Sequence, residues 1–236
     1  MRTGVYERKT NETNVTVAID LDGRKQSDTP QWGVPSPGDN PESQVVDAGL
    51  SVCPSKPECP HGQAVTRASS QIRTGIGFFD HMLELFAFRA GLDLKVDCQG
   101  DLQVDGHHTV EDVGICIGRA LAAALGDKAG IARYGTASIP MDESLAHCVL
   151  DICGRGFLVF NAAIPAPVVG SFDTELVEEF FRALAHNAGI TLHINVPYGS
   201  NTHHIIEGMF KAFGCALGQA MQQTGADTVS STKGVL

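Results

Sequence analysis

No run of about 18 or more apolar residues occurs anywhere in the chain, so it offers no candidate for a membrane-spanning helix. The opening, Met1 to Lys9, lacks the apolar stretch of a signal peptide, and none is expected. Positive charge is scarce: 17 Lys and Arg stand against 27 Asp and Glu, for a formal charge of −10. That balance argues against a nucleic-acid-binding or anionic-membrane-binding surface, although a few local cations suffice for a small anionic substrate. Regular cysteine spacing is missing as well. The seven cysteines are odd in number. Cys98, Cys116, Cys148, Cys153 and Cys215 sit among apolar residues, the pattern of buried free thiols in a reducing, cytoplasmic compartment. Cys53, Cys59 and His61 offer only three ligands in a Pro-rich loop, too few for a zinc knuckle. What remains, 43% hydrophobic and 19% charged, is an ordinary globular composition.

Val15, Val17, Ile19 and Leu21 are apolar, while Thr16 and Asp20 between them are polar. This alternation predicts a half-buried strand that ends at Asp22-Gly23. From Arg24 to about Ser70 the chain is rich in Pro, Gly, Ser and Asp. It buries little apolar surface and reads as an exposed, partly mobile insertion. The rest is internally duplicated. Phe79-Asp80-His81-Met82-Leu83 through Leu94 matches Val177-Glu178-Glu179-Phe180-Phe181 through Leu192 at an offset of 98. His107-His108-Thr109-Val110-Glu111 matches His203-His204-Ile205-Ile206-Glu207 at an offset of 96. Two copies make two half-domains, not a solenoid. Each copy reads helix, strand, turn, helix, with Gly91 and Gly126 as helix stops. Ala146 to Ile152 and Phe157 to Ala162 read as strands. The expected fold is α+β: two half-domains, each a mainly antiparallel sheet covered by helices on one face. The expected divisions are an N-terminal strand region at 1–23, the insertion at 24–70, a first half at 71–140, and a second half at 141–236 that ends in a substrate-binding tail.

The chemistry concentrates in the two His-His-x-x-Glu clusters. On a helix, His107 and His108 stand four and three residues before Glu111, so either can meet one metal ion with it. Adjacent histidines diverge by about 100° around the helix, so one ion does not readily take both, whereas a pair of ions takes one each. The geometry recurs at His203, His204 and Glu207, and chance must produce it twice. The alternative is two ordinary helix starts with surface carboxylates. Asp80, Asp112 and Glu178 flank the clusters. They serve either as acceptors that orient the imidazoles or as plain helix carboxylates. His147, His186 and His193 have no counterpart in the other copy and read as structural. Nitrogen with carboxylate suits Mn, Fe, Co, Ni or Zn more than Mg or Ca.

Several motifs in order resemble one family. They are Arg8-Lys9-Thr10-Asn11-Glu12-Thr13, Gly75-Ile76-Gly77-Phe78-Phe79-Asp80-His81, His107-His108-Thr109-Val110-Glu111-Asp112, Leu125-Gly126-Asp127-Lys128, Met141-Asp142-Glu143, His203-His204-Ile205-Ile206-Glu207 and Ser231-Thr232-Lys233-Gly234-Val235-Leu236. Together they resemble imidazoleglycerol-phosphate dehydratase over nearly all the chain except 24–70, whose length is more like that of fungal members. The resemblance implies dehydration of imidazole glycerol phosphate to imidazole acetol phosphate in histidine biosynthesis. It also implies two Mn(II) ions per active site, other divalent transition metals being possible. The implied ligands are His81, His107, His108, Glu111, His203, His204 and Glu207. The eighth position, a His in the family, is Glu179 here, where a carboxylate still suits Mn.

The proton to be removed lies on carbon beside an imidazole ring and is not acidic. The resemblance implies that two metals hold the ring as imidazolate, which drives out the hydroxyl through a diazafulvene-like intermediate. It assigns the proton shuttle to Glu12, and the phosphate to Arg133, Arg155, Lys211, Ser231 and Lys233. It further implies shells of twenty-four identical subunits, with sites at subunit contacts and neither nucleic acid nor membrane as partner. The rival readings are a metal-dependent phosphohydrolase and a metal-binding structural shell.

Overall fold

The structure, a computed structural model, describes residues 1–23, 71–234 and 236. The expected insertion at 24–70, with Cys53, Cys59 and His61, lies outside the described residues. In β1 (Thr3–Lys9) and β2 (Thr13–Asp20) the expected alternation holds: Val15, Val17 and Ile19 are buried while Asn14 and Thr16 face out. These strands form a hairpin, and β2 continues antiparallel to β4 (Asp93–Gly100). The short β3 (Gln71–Arg73) adds parallel to β4, giving the order β1-β2-β4-β3. Helix α1 (Gly77–Ala90) lies between β3 and β4, and α2 (His107–Leu125) follows β4.

The second half repeats this plan. Strands β5 (Tyr134–Met141), β6 (Ser144–Asp151), β7 (Phe157–Asn161) and β10 (Thr191–Tyr198) make a sheet in the order β5-β6-β10-β7, again antiparallel apart from β7 with β10. A small hairpin, β8 (Val168–Val169) with β9 (Phe172–Asp173), precedes α3 (Leu176–Ala188), and α4 (Thr202–Ala220) closes the half. The architecture is α+β in two duplicated half-domains, as expected. The half boundaries differ from the expectation at 140/141 and at 23. The N-terminal strands belong to the first half, because β2 pairs with β4 along its whole length. β5 belongs to the second half, because it hairpins with β6. The duplication therefore reaches the hairpins: Gly4 and Gly135, Glu12 and Glu143, and Thr13 and Ser144 each stand 131 residues apart.

Helix packing joins the halves, α2 against α3 and α1 against α4. Glycines permit the approach at related places. A Cβ on Gly118 would lie 2.7 Å from the Leu184 carbonyl, and one on Gly214 would lie 2.7 Å from the Phe86 carbonyl. Phenylalanines fill the space between helices. Phe86 stacks on Phe213 at 5.1 Å, and Phe180 lies 5.2 Å from both Phe79 and Phe210. Each such burial stabilises the fold by about 1.5–3 kcal/mol before entropy is counted, so the halves share one core. Cys98, Cys116, Cys148 and Cys153 are buried free thiols and Cys215 is partly exposed. Burial pushes the Cys98 thiol up to about 11 and that of Cys116 to about 12, which leaves both protonated and unreactive. Among the described residues no helix is long and apolar enough to cross a membrane.

Candidate metal centre and substrate groups

Both His-His-x-x-Glu clusters lie in the first turn of a helix, and in both a side-chain oxygen two residues before the first histidine accepts from that histidine's amide. Asp105 Oδ1 accepts from the His107 amide at 2.8 Å. Asn201, 96 residues on, accepts from the amides of His203 at 2.9 Å and His204 at 3.3 Å. The caps fix where the imidazoles start. The ring planes of His107 and His108 stand at 89° and those of His203 and His204 at 82°, with centroids 6.1 and 6.4 Å apart.

The packing of α1 on α4 brings His81 to His203 and Glu207. Donor atoms of these three lie within 4.8 Å of one another, the one such group among the described residues. Glu207 Oε2 lies 3.1 Å from His203 Nε2 and 3.8 Å from His81 Nε2, while its Oε1 pairs with Lys211. Burial alone would raise the Glu207 carboxyl. The Lys211 ammonium and His203 outweigh that and hold it below the usual range, ionised and ready to coordinate. The related group, from α3 and α2, is looser. His107 Nε2 is 4.0 Å from Glu111 Oε2, and Glu179 turns along its own helix to Arg182, 3.5 Å away.

Each second histidine is held by a carboxylate on Nδ1. His108 Nδ1 lies 3.0 Å from Asp101 Oδ2, and His204 Nδ1 lies 2.7 Å from Glu143 Oε2. These hydrogen bonds raise both imidazoles above their ordinary value. Glu143 is held far below the usual carboxylate range by His204 and by the amides of Asn201 and Ser200. The flanking acids singled out from sequence do other work. Asp80 accepts from the Thr74 amide and hydroxyl at 2.8 and 2.6 Å, buried Asp112 binds Arg8 and Thr13, and Glu178 pairs with Arg182. None orients an imidazole, because each points across its helix start to a loop, a strand or its own next turn. Asp101 and Glu143 were missed because β-turn and loop acids carry no helical spacing. The signal for Glu143 lay in the Met141-Asp142-Glu143 motif.

Glu12 sits in the β1–β2 turn, its side chain 55% exposed and Oε2 3.8 Å from His108 Nε2. Of the expected phosphate groups, Arg133 and Ser231 line one shallow cleft of about 460 Å³ with Tyr134, Ser230 and Thr232. Arg133 adopts φ 76°, unusual for a residue with a side chain, and its guanidinium binds Asp151 and the Ser230 carbonyl. Arg155 and Lys233 are exposed. Lys211 is elsewhere, beside Glu207. Arg133 hangs on the Ala220 carbonyl, nine residues and roughly 13 Å further along α4. His147 hydrogen-bonds Ser138 at 2.7 Å, and His186 Nδ1 donates to the Arg182 carbonyl at 3.0 Å. His193 is exposed on β10, away from both clusters.

A family model described as imidazoleglycerol-phosphate dehydratase matches residues 74–217. The chain is 45% identical over 234 residues to the imidazoleglycerol-phosphate dehydratase of Exiguobacterium sp., an alignment covering 99% of this chain and 98% of the relative. The enzyme of Pelotomaculum thermopropionicum is 46% identical, with coverage of 100% and 98%. The crystal structure of imidazoleglycerol-phosphate dehydratase from Staphylococcus aureus superposes with a TM-score of 0.70 at 39% identity, over 94% of this chain and 99% of that one. These relatives are bacterial, so the fungal kinship expected from the length of 24–70 finds no support in them. With the duplicated fold and both clusters in place, the chain belongs to the imidazoleglycerol-phosphate dehydratase family, whose members are lyases.

Proposed function

We propose that this chain dehydrates imidazole glycerol phosphate to imidazole acetol phosphate in histidine biosynthesis, acting in the cytoplasm on a small phosphorylated imidazole. The observation that carries the site assignment is the convergence of His81, His203 and Glu207 from opposite halves of the duplicated chain. Two imidazole nitrogens and one carboxylate fit Mn(II), or another divalent transition metal, better than Mg or Ca. His107, His108, Glu111, Glu179 and His204 complete two such centres per active site, with ligands shared across subunit contacts. When bound, the two ions supply the Lewis acidity that favours the imidazolate form of the substrate ring.

The remaining work falls to the chain's own groups. Glu12, exposed in its turn and only 3.8 Å from His108 Nε2, takes the proton from carbon beside the ring. Arg133 and Ser231 receive the phosphate in their cleft, and Arg155, Lys211 and Lys233 add charge from neighbouring surfaces. The strained backbone at Arg133 supports a functional demand there. Self-association into a large homo-oligomer of twenty-four subunits fits the exposed Tyr134, Val149 and Phe157, which share one face of the second sheet.

The test is to strip the protein with chelator, add Mn(II) and assay imidazole acetol phosphate. Metal-dependent formation of the keto-phosphate is expected. Release of free phosphate instead would establish a phosphohydrolase. Bound metal with no turnover, and no change in its spectrum on adding substrate, would establish a metal-binding shell.

A further inference from the structure

We infer that Glu143 is a positioning residue that holds His204 with its proton on Nδ1 and its Nε2 bare. The inference rests on the reading of His204 as a metal ligand. Three observations carry it.

Glu143 is itself held rigidly. β5 and β6 pair up to Met141 with Ser144, which leaves Asp142-Glu143 as a two-residue turn, with Asp142 in the left-handed region at φ 47°. Glu143 Oε1 then accepts from the Asn201 amide at 2.7 Å, the Ser200 amide at 3.1 Å and the Ser144 hydroxyl at 3.0 Å. The turn is thereby fastened to the start of α4.

The other oxygen, Oε2, faces His204 Nδ1 at 2.7 Å. An ionised carboxylate only accepts, so the proton on that line belongs to Nδ1. Among the described residues the opposite nitrogen, Nε2, comes no nearer to a carboxylate than 3.8 Å, at Asp142. A neutral imidazole held this way presents one lone pair, at Nε2, in a fixed direction.

The duplication supplies the third observation. Glu143 is the counterpart of Glu12, 131 residues earlier in the related turn. Glu12 approaches the other nitrogen of its histidine, Nε2 of His108, at 3.8 Å. In the first half the Nδ1 position is taken by Asp101 at 3.0 Å. Both halves thus place a carboxylate on Nδ1 of the second histidine. Because Asp101 fills that place in the first half, Glu12 is released from it. In the second half, among the described residues, Glu143 is the carboxylate that meets His204 Nδ1.

Glu143→Gln tests this sharply. The four donors at Oε1, the Ser200 hydroxyl being the fourth at 3.3 Å, select the amide oxygen of Gln for that side, which puts its NH2 against His204 Nδ1. Nδ1 must then accept, and the proton moves to Nε2, where it blocks coordination. Solid-state 15N spectra of metal-free, histidine-labelled protein at alkaline pH, assigned by difference from His204→Ala, read the tautomer directly. The parent should show Nδ1–H at His204, and Glu143→Gln should show Nε2–H. Mn(II) affinity by titration should fall about 10- to 100-fold in Glu143→Gln, with no further loss when Gln is added to His204→Ala. An Nε2–H parent overturns the proposal even if the variant fails to fold. So does an unchanged tautomer and affinity in Glu143→Gln. If His204→Ala binds Mn(II) like the parent, the ligand reading fails, and the 15N spectra still decide what Glu143 does.

Discussion

His204 and Glu143 shift each other in opposite directions, and the signs set a pH window. Glu143 is held below its ordinary 4.5, so its contribution to stability is present above that value and is lost as pH falls through the lowered one. His204 is held above 6.5, so its contribution is complete below 6.5 and is lost as pH rises through the raised one. Both are present together between 4.5 and 6.5. In chelated protein, the gap in Tm between parent and Glu143→Gln should be widest there and should narrow, by the His204 share alone, as pH rises through the raised value of His204. A gap that stays constant across that range would show that the ion pair does not stabilise the fold. Glu179 carries a second prediction at this scale. It stands 98 residues after His81, where the resemblance implies a His, and it leans on Arg182 at 3.5 Å. Arg182 also pairs with Glu178, so releasing Glu179 to a metal costs one exposed contact worth under about 1 kcal/mol. Metal content should fall in Glu179→Ala and recover in Glu179→His. Equal content in all three proteins would remove Glu179 from the ligand set. These residues also mark the limit of sequence reading. His107 with Glu111 and His203 with Glu207 were legible because helical spacing places them on one face. Asp101 and Glu143 reach their histidines from a loop and a turn, where spacing has no period and only the folded chain brings the partners together.

At the scale of elements, the duplication was legible from apolar periodicity and glycine stops. α1 and α3 both end on a left-handed glycine, Gly91 at φ 70° and Gly189 at φ 67°. The N-terminal hairpin was not recognised as part of the repeat, because 24–70 separates it from α1 and because strand residues are interchangeable among Val, Ile, Ala and Cys. What ties β2 to β4 is a register, and a register is not a local property. Inter-half packing was equally hidden, since a helix with apolar residues on several sides does not say which neighbour it meets. The glycines show how close that meeting is. In Gly214→Ala the new methyl gains about 1 kcal/mol of helix propensity. It also lands 2.7 Å from the Phe86 carbonyl and 2.8 Å from Arg89 Cβ, one of them backbone. Overpacking of this kind costs about 1–3 kcal/mol, and relief requires α1 to move off α4. His81 rides on α1 while His203 and Glu207 ride on α4. The variant should therefore lose both Tm and Mn(II) affinity. Gly118→Ala, at the related contact of α2 with α3, should lower Tm while sparing the His81–His203–Glu207 group. Normal Mn(II) binding by Gly214→Ala would separate the helix spacing from the site.

For the whole molecule, the groups proposed for one reaction are dispersed over a single chain. His81, His203 and Glu207 offer three donor groups to the proposed metal, fewer than the six that an octahedral Mn(II) accepts. His204 and His108, held on Nδ1 by Glu143 and Asp101, are not members of that group. Arg133 and Ser231 line their cleft, and the Arg133 amide meets the Ala220 carbonyl, nine residues after Lys211 in α4. In this conformation such gaps stay open, with Arg133 paired to Asp151, Lys211 to Glu207 and His204 to Glu143. Copies of the chain can close them, with the second histidine of one subunit completing the metal group of the next. A metal bound by two subunits binds the assembly and not its parts, so part of its binding free energy is assembly free energy. Chelation should therefore yield smaller particles by light scattering, and Mn(II) should restore large ones. His204→Ala should mimic chelation even with Mn(II) present, whereas Lys233→Ala, which removes only an exposed cation, should assemble normally and lose substrate affinity. A particle mass that is unchanged after verified loss of metal would show that the subunits hold together by protein contacts alone, with the sheet face bearing Val149 and Phe157 as the place to look for them.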